Sequence, residues 1–175
     1  MEKTRAIDFA TISLRDALDL AVLVEEEAAE RYEEFTDQMV KHHNEEAAAF
    51  FRFMRRNEQK HGEQLAERRF KLFGEEPRSV RREMLFDIEA PDYDEARAFM
   101  TQKSALDAAL RAEEKAHAFF VAALERVGHP DVRALFAELR EEEIEHQELV
   151  KKEMAKLPPE GIMSTEDVAD EPVSQ

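Results

Sequence analysis

The chain reads as all-α, a four-helix bundle of two antiparallel helix pairs joined by a long crossover. Three observations predict this. Apolar residues recur at three- and four-residue spacing in four separate stretches, the helical period. Composition is 43% hydrophobic and 38% charged, with 4 Gly and 6 Pro among 175 residues, which suits long amphipathic helices rather than a sheet. Turn signals divide the four stretches by a short, a long and a short link, so the second pair can lie back against the first.

The first helix is predicted to begin at Ser13, an N-cap with Asp16 three residues on. Its inward stripe is Leu18, Val22, Glu25, Ala29, Tyr32, Phe35 and Met39, and it ends near His42. Asn44 caps the second helix, with stripe Ala47, Phe51, Met54, Glu58, His61, Leu65 and Leu72; Gly74 and Pro77 stop it. Residues 74–93 lack such a stripe and read as a crossover lying on the bundle, with about one helical turn. Asp94 is placed to cap a short helix leading into the third long one. That third stripe is Leu106, Leu110, Glu113, His117, Phe120, Leu124 and Val127, closed by Gly128. Pro130 suits the first turn of the fourth helix, whose stripe is Val132, Phe136, Leu139, Glu143, His146, Val150 and Met154, with Pro158 and Pro159 beyond. The bundle domain is expected over 1–157. Residues 158–175, acidic and poor in large apolar side chains, are expected to be a disordered tail.

Composition also bounds the function. A net charge of -16 makes nucleic acid and anionic membranes poor partners. There is no cysteine, which excludes disulfides and cysteine-ligated metal in this sequence. No apolar run approaches the roughly 20 residues of a membrane span, and Met1-Glu2-Lys3 opens no signal peptide, so cytoplasmic residence is the expectation.

Two Glu-x-x-His pairs, Glu58–His61 and Glu143–His146, each share one helix face and fall mid-helix. Each has a glutamate one helix upstream, Glu25 and Glu113, in a weak internal repeat that also sets Phe120 where Tyr32 stands in the first half. In an acid-rich chain the spacing alone is unremarkable, and Glu114–His117 repeats it. Placement carries more weight, because these six residues interrupt otherwise apolar stripes. Burying an ion costs several kcal/mol, whereas a whole domain is stable by only about 5–15 kcal/mol. Four interior carboxylates therefore call for protonation, paired cations or metals, unless they turn to solvent. Two divalent ions would balance them. Glu58 and Glu143 would then bridge or chelate, and Glu25 and Glu113 would bind terminally or bridge. Oxygen-rich ligation with one imidazole per ion suits iron or manganese better than zinc or copper. Iron fits best, since two Fe(II) ions together supply two electrons to dioxygen or peroxide.

Neighbouring residues stay open between roles. His117 is an added ligand, a hydrogen-bond partner of a ligand, or a core histidine. Tyr32 bonds a ligand carboxylate, carries a radical, or is a core tyrosine with a polar partner. His42, His43 and His129 fall at turns and are expected in solvent, while Phe50, Phe51, Phe53, Phe119 and Phe120 are expected to pack.

With Glu25-Glu26-Glu27-Ala28-Ala29-Glu30-Arg31-Tyr32, Glu58-Gln59-Lys60-His61-Gly62, Glu113-Glu114-Lys115-Ala116-His117-Ala118-Phe119-Phe120 and Glu143-Ile144-Glu145-His146, the chain resembles the rubrerythrin-like branch of the ferritin-like superfamily. The resemblance spans all four long helices, roughly residues 13–156. It implies a non-haem di-iron centre with Glu25, Glu58, His61, Glu113, Glu143 and His146 as ligands. It also implies redox chemistry with peroxide or dioxygen, often in oxidative-stress defence, and a homo-oligomer, a dimer or larger. The chain departs from the family in two places. Full-length rubrerythrins carry a four-cysteine rubredoxin domain, so here electrons would come from a separate donor protein. Rubrerythrins also carry a further glutamate where this chain has Ala116. An iron-binding ferroxidase, storage or delivery protein is the alternative, and a metal-free helical interaction module is a third.

Overall fold

The computed structural model describes residues 7–84 and 101–158. Four long helices appear there: α1 (Leu14–Lys41), α2 (Glu45–Phe73), α3 (Gln102–Arg126) and α4 (Pro130–Met154). Among the described residues of the crossover, Arg82–Met84 form a 3-10 turn. The short helix expected after Asp94 and the acidic tail lie outside the described residues. No helix among the described residues is long and apolar enough to cross a membrane.

The ends follow local chemistry. The Ser13 side chain accepts the Asp16 N–H at 3.1 Å, and Asn44 Oδ1 accepts the Ala47 N–H at 3.0 Å. Gly74 ends α2 at φ 63°, a left-handed conformation that favours glycine. Pro130 opens α4, and His129 is exposed as expected, its Nδ1 accepting the Asp131 N–H. α4 ends at Met154, short of Pro158.

α1 packs chiefly on α2 and α3 on α4, with α1 and α4 joining the pairs. Two apolar cores result. One gathers Leu18, Val22, Phe120, Phe136 and Leu139; the other gathers Tyr32, Met39, Phe51, Met54, Leu106 and Val150. Burying each large side chain stabilises the fold by about 1.5–3 kcal/mol. Residues Ala17 to Glu25 are buried on every side of α1, Asp19 included. The crossover covers the outer side there. Arg78 grips both oxygens of Glu26 at 2.9 and 3.0 Å, and Arg82 grips Glu30 at 2.8 and 2.9 Å. Beneath them, Arg69 Nε donates to Asp19 Oδ1 at 2.8 Å and the Ser79 N–H donates to Asp19 Oδ2 at 3.0 Å.

The predicted stripe of α1 is buried throughout. Elsewhere the packing corrects it. α3 turns its alanines inward, with Ala105, Ala109, Ala116 and Ala123 buried, while Leu110, His117 and Leu124 sit on the flank. Leu72 and Phe53 are exposed, and Arg69 is buried in place of Leu72 because Asp19 neutralises it. On α4, Glu153 is buried and Met154 only half so.

Candidate metal centre

Between the two apolar cores lies a layer of acids. Glu25, Glu58, Glu113 and Glu143, one from each long helix, are 3%, 2%, 4% and 5% exposed, too little for water to solvate four negative charges. The histidines join from α2 and α4. The His61 and His146 rings stack with centroids 5.4 Å apart. Their donors overlap in three groups: Glu58 with His61 and His146, Glu25 with His61 and Glu142, and Glu113 with Glu143 and His146. Within each group the donor atoms lie within 4.8 Å of one another.

Helix geometry accounts for the convergence. Glu58 and His61, like Glu143 and His146, are one turn apart on a face. Glu25 gains its place through Gly62: a Cβ at that position would lie 3.3 Å from Glu25 Cβ, so the missing side chain lets α1 and α2 close up at the acid layer.

Electrostatics divides the layer. Burial, opposed by Glu58 and His146, pushes Glu25 up to about 7. Burial and the charges of Glu113 and Glu25 drive Glu58 well above the ordinary carboxylate range. Burial also pushes Glu113 up, but hydrogen bonding with His146, Glu143 and Tyr32 outweighs it and holds Glu113 low. The Tyr32 hydroxyl donates to Glu113 Oε1. Burial and the Glu113 charge keep that phenol protonated far above its usual range. His146 Nδ1 lies 3.2 Å from Glu58 Oε1 and 3.5 Å from Glu113 Oε2. Burial lowers the affinity of His146 for its proton, yet Glu113 and the charges of Glu25 and Glu142 raise it overall. His61, half-buried, is lowered by desolvation and by His146.

The six residues expected as ligands all fall in the three groups, and Tyr32 touches one of them. His117 is half-buried on the flank of α3 and enters none of these groups among the described residues. Glu142 was not singled out by the apolar stripes, because it lies beside the α4 stripe rather than on it. Its signal was its position four residues before His146.

The donor set fits a pair of divalent cations. Glu25 Oε2 and His61 Nδ1 are buried and lack a hydrogen-bond partner, and Glu58 Oε1 faces only the His146 ring at 3.2 Å, as atoms reserved for a cation would be. A groove of about 300 Å³ between α1 and α2 reaches Glu25 and Glu58 from outside, lined also by Glu26, Glu30, Glu63 and Arg55.

Fold and interior together define a ferritin-like helical bundle with a carboxylate–histidine centre. The rubrerythrin family model matches residues 16–158, and the chain belongs to the rubrerythrin family. Among solved structures it is similar to an uncharacterized conserved protein from Magnetospirillum magnetotacticum MS-1. The identity is 28% and the TM-score 0.72, over 87% of this chain and all of that one. No curated protein matches the chain.

Proposed function

We propose that this protein is a non-haem di-iron oxidoreductase that reduces peroxide or dioxygen. The observation that carries the reading is the set of buried, unpartnered donors within a layer of four carboxylates and two histidines. Glu25, Glu58, His61, Glu113, Glu143 and His146 hold two iron ions, with manganese as the competing metal. Two ferrous ions bound there would supply the two electrons that the oxidant takes up.

The chain's own residues do the rest. The two apolar cores exclude bulk water from the layer on both sides. Tyr32 fixes Glu113 through its hydroxyl and keeps its proton while doing so. His146, held between Glu58 and Glu113, stays on the inner side of the layer. The groove between α1 and α2 admits a small oxidant to Glu25 and Glu58. A donor protein returns the electrons between turnovers. The working form is a homo-oligomer, a dimer or larger.

Stopped-flow oxidation of Fe(II)-loaded protein by H2O2 and by O2, in separate runs, tests this. Faster oxidation than the protein-free control is expected with at least one oxidant. Equal rates with both would sink the enzyme reading. Rapid oxidation by O2 alone, with iron retained in a many-subunit cage, would identify a ferroxidase store instead.

A further inference from the structure

We infer that Glu142 is a seventh ligand of the centre, binding the cation held by Glu25 and His61. The inference rests on the two-metal reading above. The internal repeat leads one to expect two equal halves, each with one glutamate and one Glu-x-x-His, but the halves differ.

On one side, Glu113, Glu143 and His146 are all buried, and Glu113 is already engaged by Tyr32 and His146. On the other side, the third member of the group with Glu25 and His61 is Glu142, from the far helix pair. Glu142 Oε2 stands 3.9 Å from His61 Nδ1, too far for a hydrogen bond. Two ligands of one cation, each about 2.0–2.2 Å from it, are separated by roughly 3–4 Å, and this pair fits that spacing. The two atoms that need a partner at this spot are buried: Glu25 Oε2 and His61 Nδ1. α4 therefore presents Glu143 and His146 to one ion and Glu142, on the adjoining edge of the helix, to the other.

The extra carboxylate has two effects. It brings the acids at the centre to five, against the four positive charges of two dications, so the surplus favours a more highly charged oxidised metal. Glu142 is also half-buried, unlike the four interior glutamates, and so joins its ion to solvent. The ion it binds is the exchangeable member of the pair.

Titration of the metal-free full chain with Co2+, followed by its visible absorption bands, tests the assignment. Wild type, Glu142→Gln and Glu145→Gln are compared, the last removing an exposed charge one residue from His146 on the same helix. Wild type is expected to bind two equivalents. Glu142→Gln should keep one tight site, weaken the second by about tenfold or more and change its bands, while Glu145→Gln matches wild type. An apo melting temperature at or above that of wild type shows that Glu142→Gln is folded. Identical affinity and spectra for Glu142→Gln and wild type overturn the inference alone. A wild-type chain that takes up no Co2+ overturns it together with the reading beneath it.

Discussion

The Tyr32 hydroxyl on α1 donates across the acid layer to Glu113 on α3. Its counterpart in the internal repeat, Phe120, has no hydroxyl to offer Glu25, and Glu25 Oε2 is left without a partner. The internal repeat is thus broken at this level: the Glu113 carboxylate is held by a hydroxyl and the Glu25 carboxylate is not. Tyr32→Phe should destabilise the metal-free protein by roughly 1.5–3 kcal/mol, the worth of a hydrogen bond to a charged group. Urea unfolding of the apo forms measures it, and coincident curves would refute the coupling.

Removing charge from the layer should work the other way. Glu58 is forced far above the ordinary carboxylate range, so its ionised form costs the fold free energy. Glu58→Gln is predicted to lose at least one metal and to raise the apo melting temperature at pH 8. A lower apo melting temperature with metal content intact would contradict the assignment of Glu58.

The apo protein should lose stability as pH rises from about 5 to 8. Glu25 moves from 4.5 to about 7 on folding, so the native state binds its proton more tightly than the unfolded chain does. The benefit is complete below 4.5 and gone above about 7, a swing of about 3 kcal/mol. Glu58, Glu142 and His146, all raised, act in the same sense, whereas half-exposed His61, lowered, opposes them. Metal binding displaces those protons, so affinity should climb over the same interval. Melting curves at several pH values, with and without Fe(II), read both trends. A flat apo profile would argue that the layer is not buried.

Gly62→Ala sets two effects against each other. Alanine favours a helix interior by about 0.8–1 kcal/mol over glycine. Its Cβ, however, would stand 3.3 Å from Glu25 Cβ, an atom fixed to the α1 backbone, so the helices must part by a few tenths of an ångström. Weaker metal binding, with little net change in apo stability, is the expected result. Metal titration beside thermal melts decides it, and unchanged affinity would show that Glu25 tolerates the shift.

Asp19→Ala should be the most damaging of these changes. It strips the counter-charge from buried Arg69 and releases the Ser79 N–H that ties the crossover to α1. Breaking a buried pair from one side costs about 3–5 kcal/mol. Urea midpoints for Asp19→Ala and for the double variant Asp19→Ala/Arg69→Met test this, since the second should recover much of the loss.

Much of this was legible in the sequence. Helix starts were, because Ser13, Asn44 and Pro130 act on residues within one turn of themselves. The α1 stripe was, because large apolar side chains mark it. The α3 stripe came out rotated, since weight given to Leu110 and Leu124 hid the alanines that let that helix approach closely. Arg69 and Asp19 are 50 residues apart, and no periodicity links them. The six candidate donors were readable as breaks in apolar stripes. Glu142 was not, because its neighbours His61 and Glu25 belong to the other helix pair.

The separation of two apolar cores by a charged layer decides how the domain comes apart. α1 with α2, and α3 with α4, are each zipped tightly, while the pairs meet more sparingly. Stripped of dications, the mutual repulsion sits along the boundary between hairpins. Chelation should therefore open the protein like a hinge before either hairpin frays, leaving each free to re-close on a hairpin from a neighbouring copy.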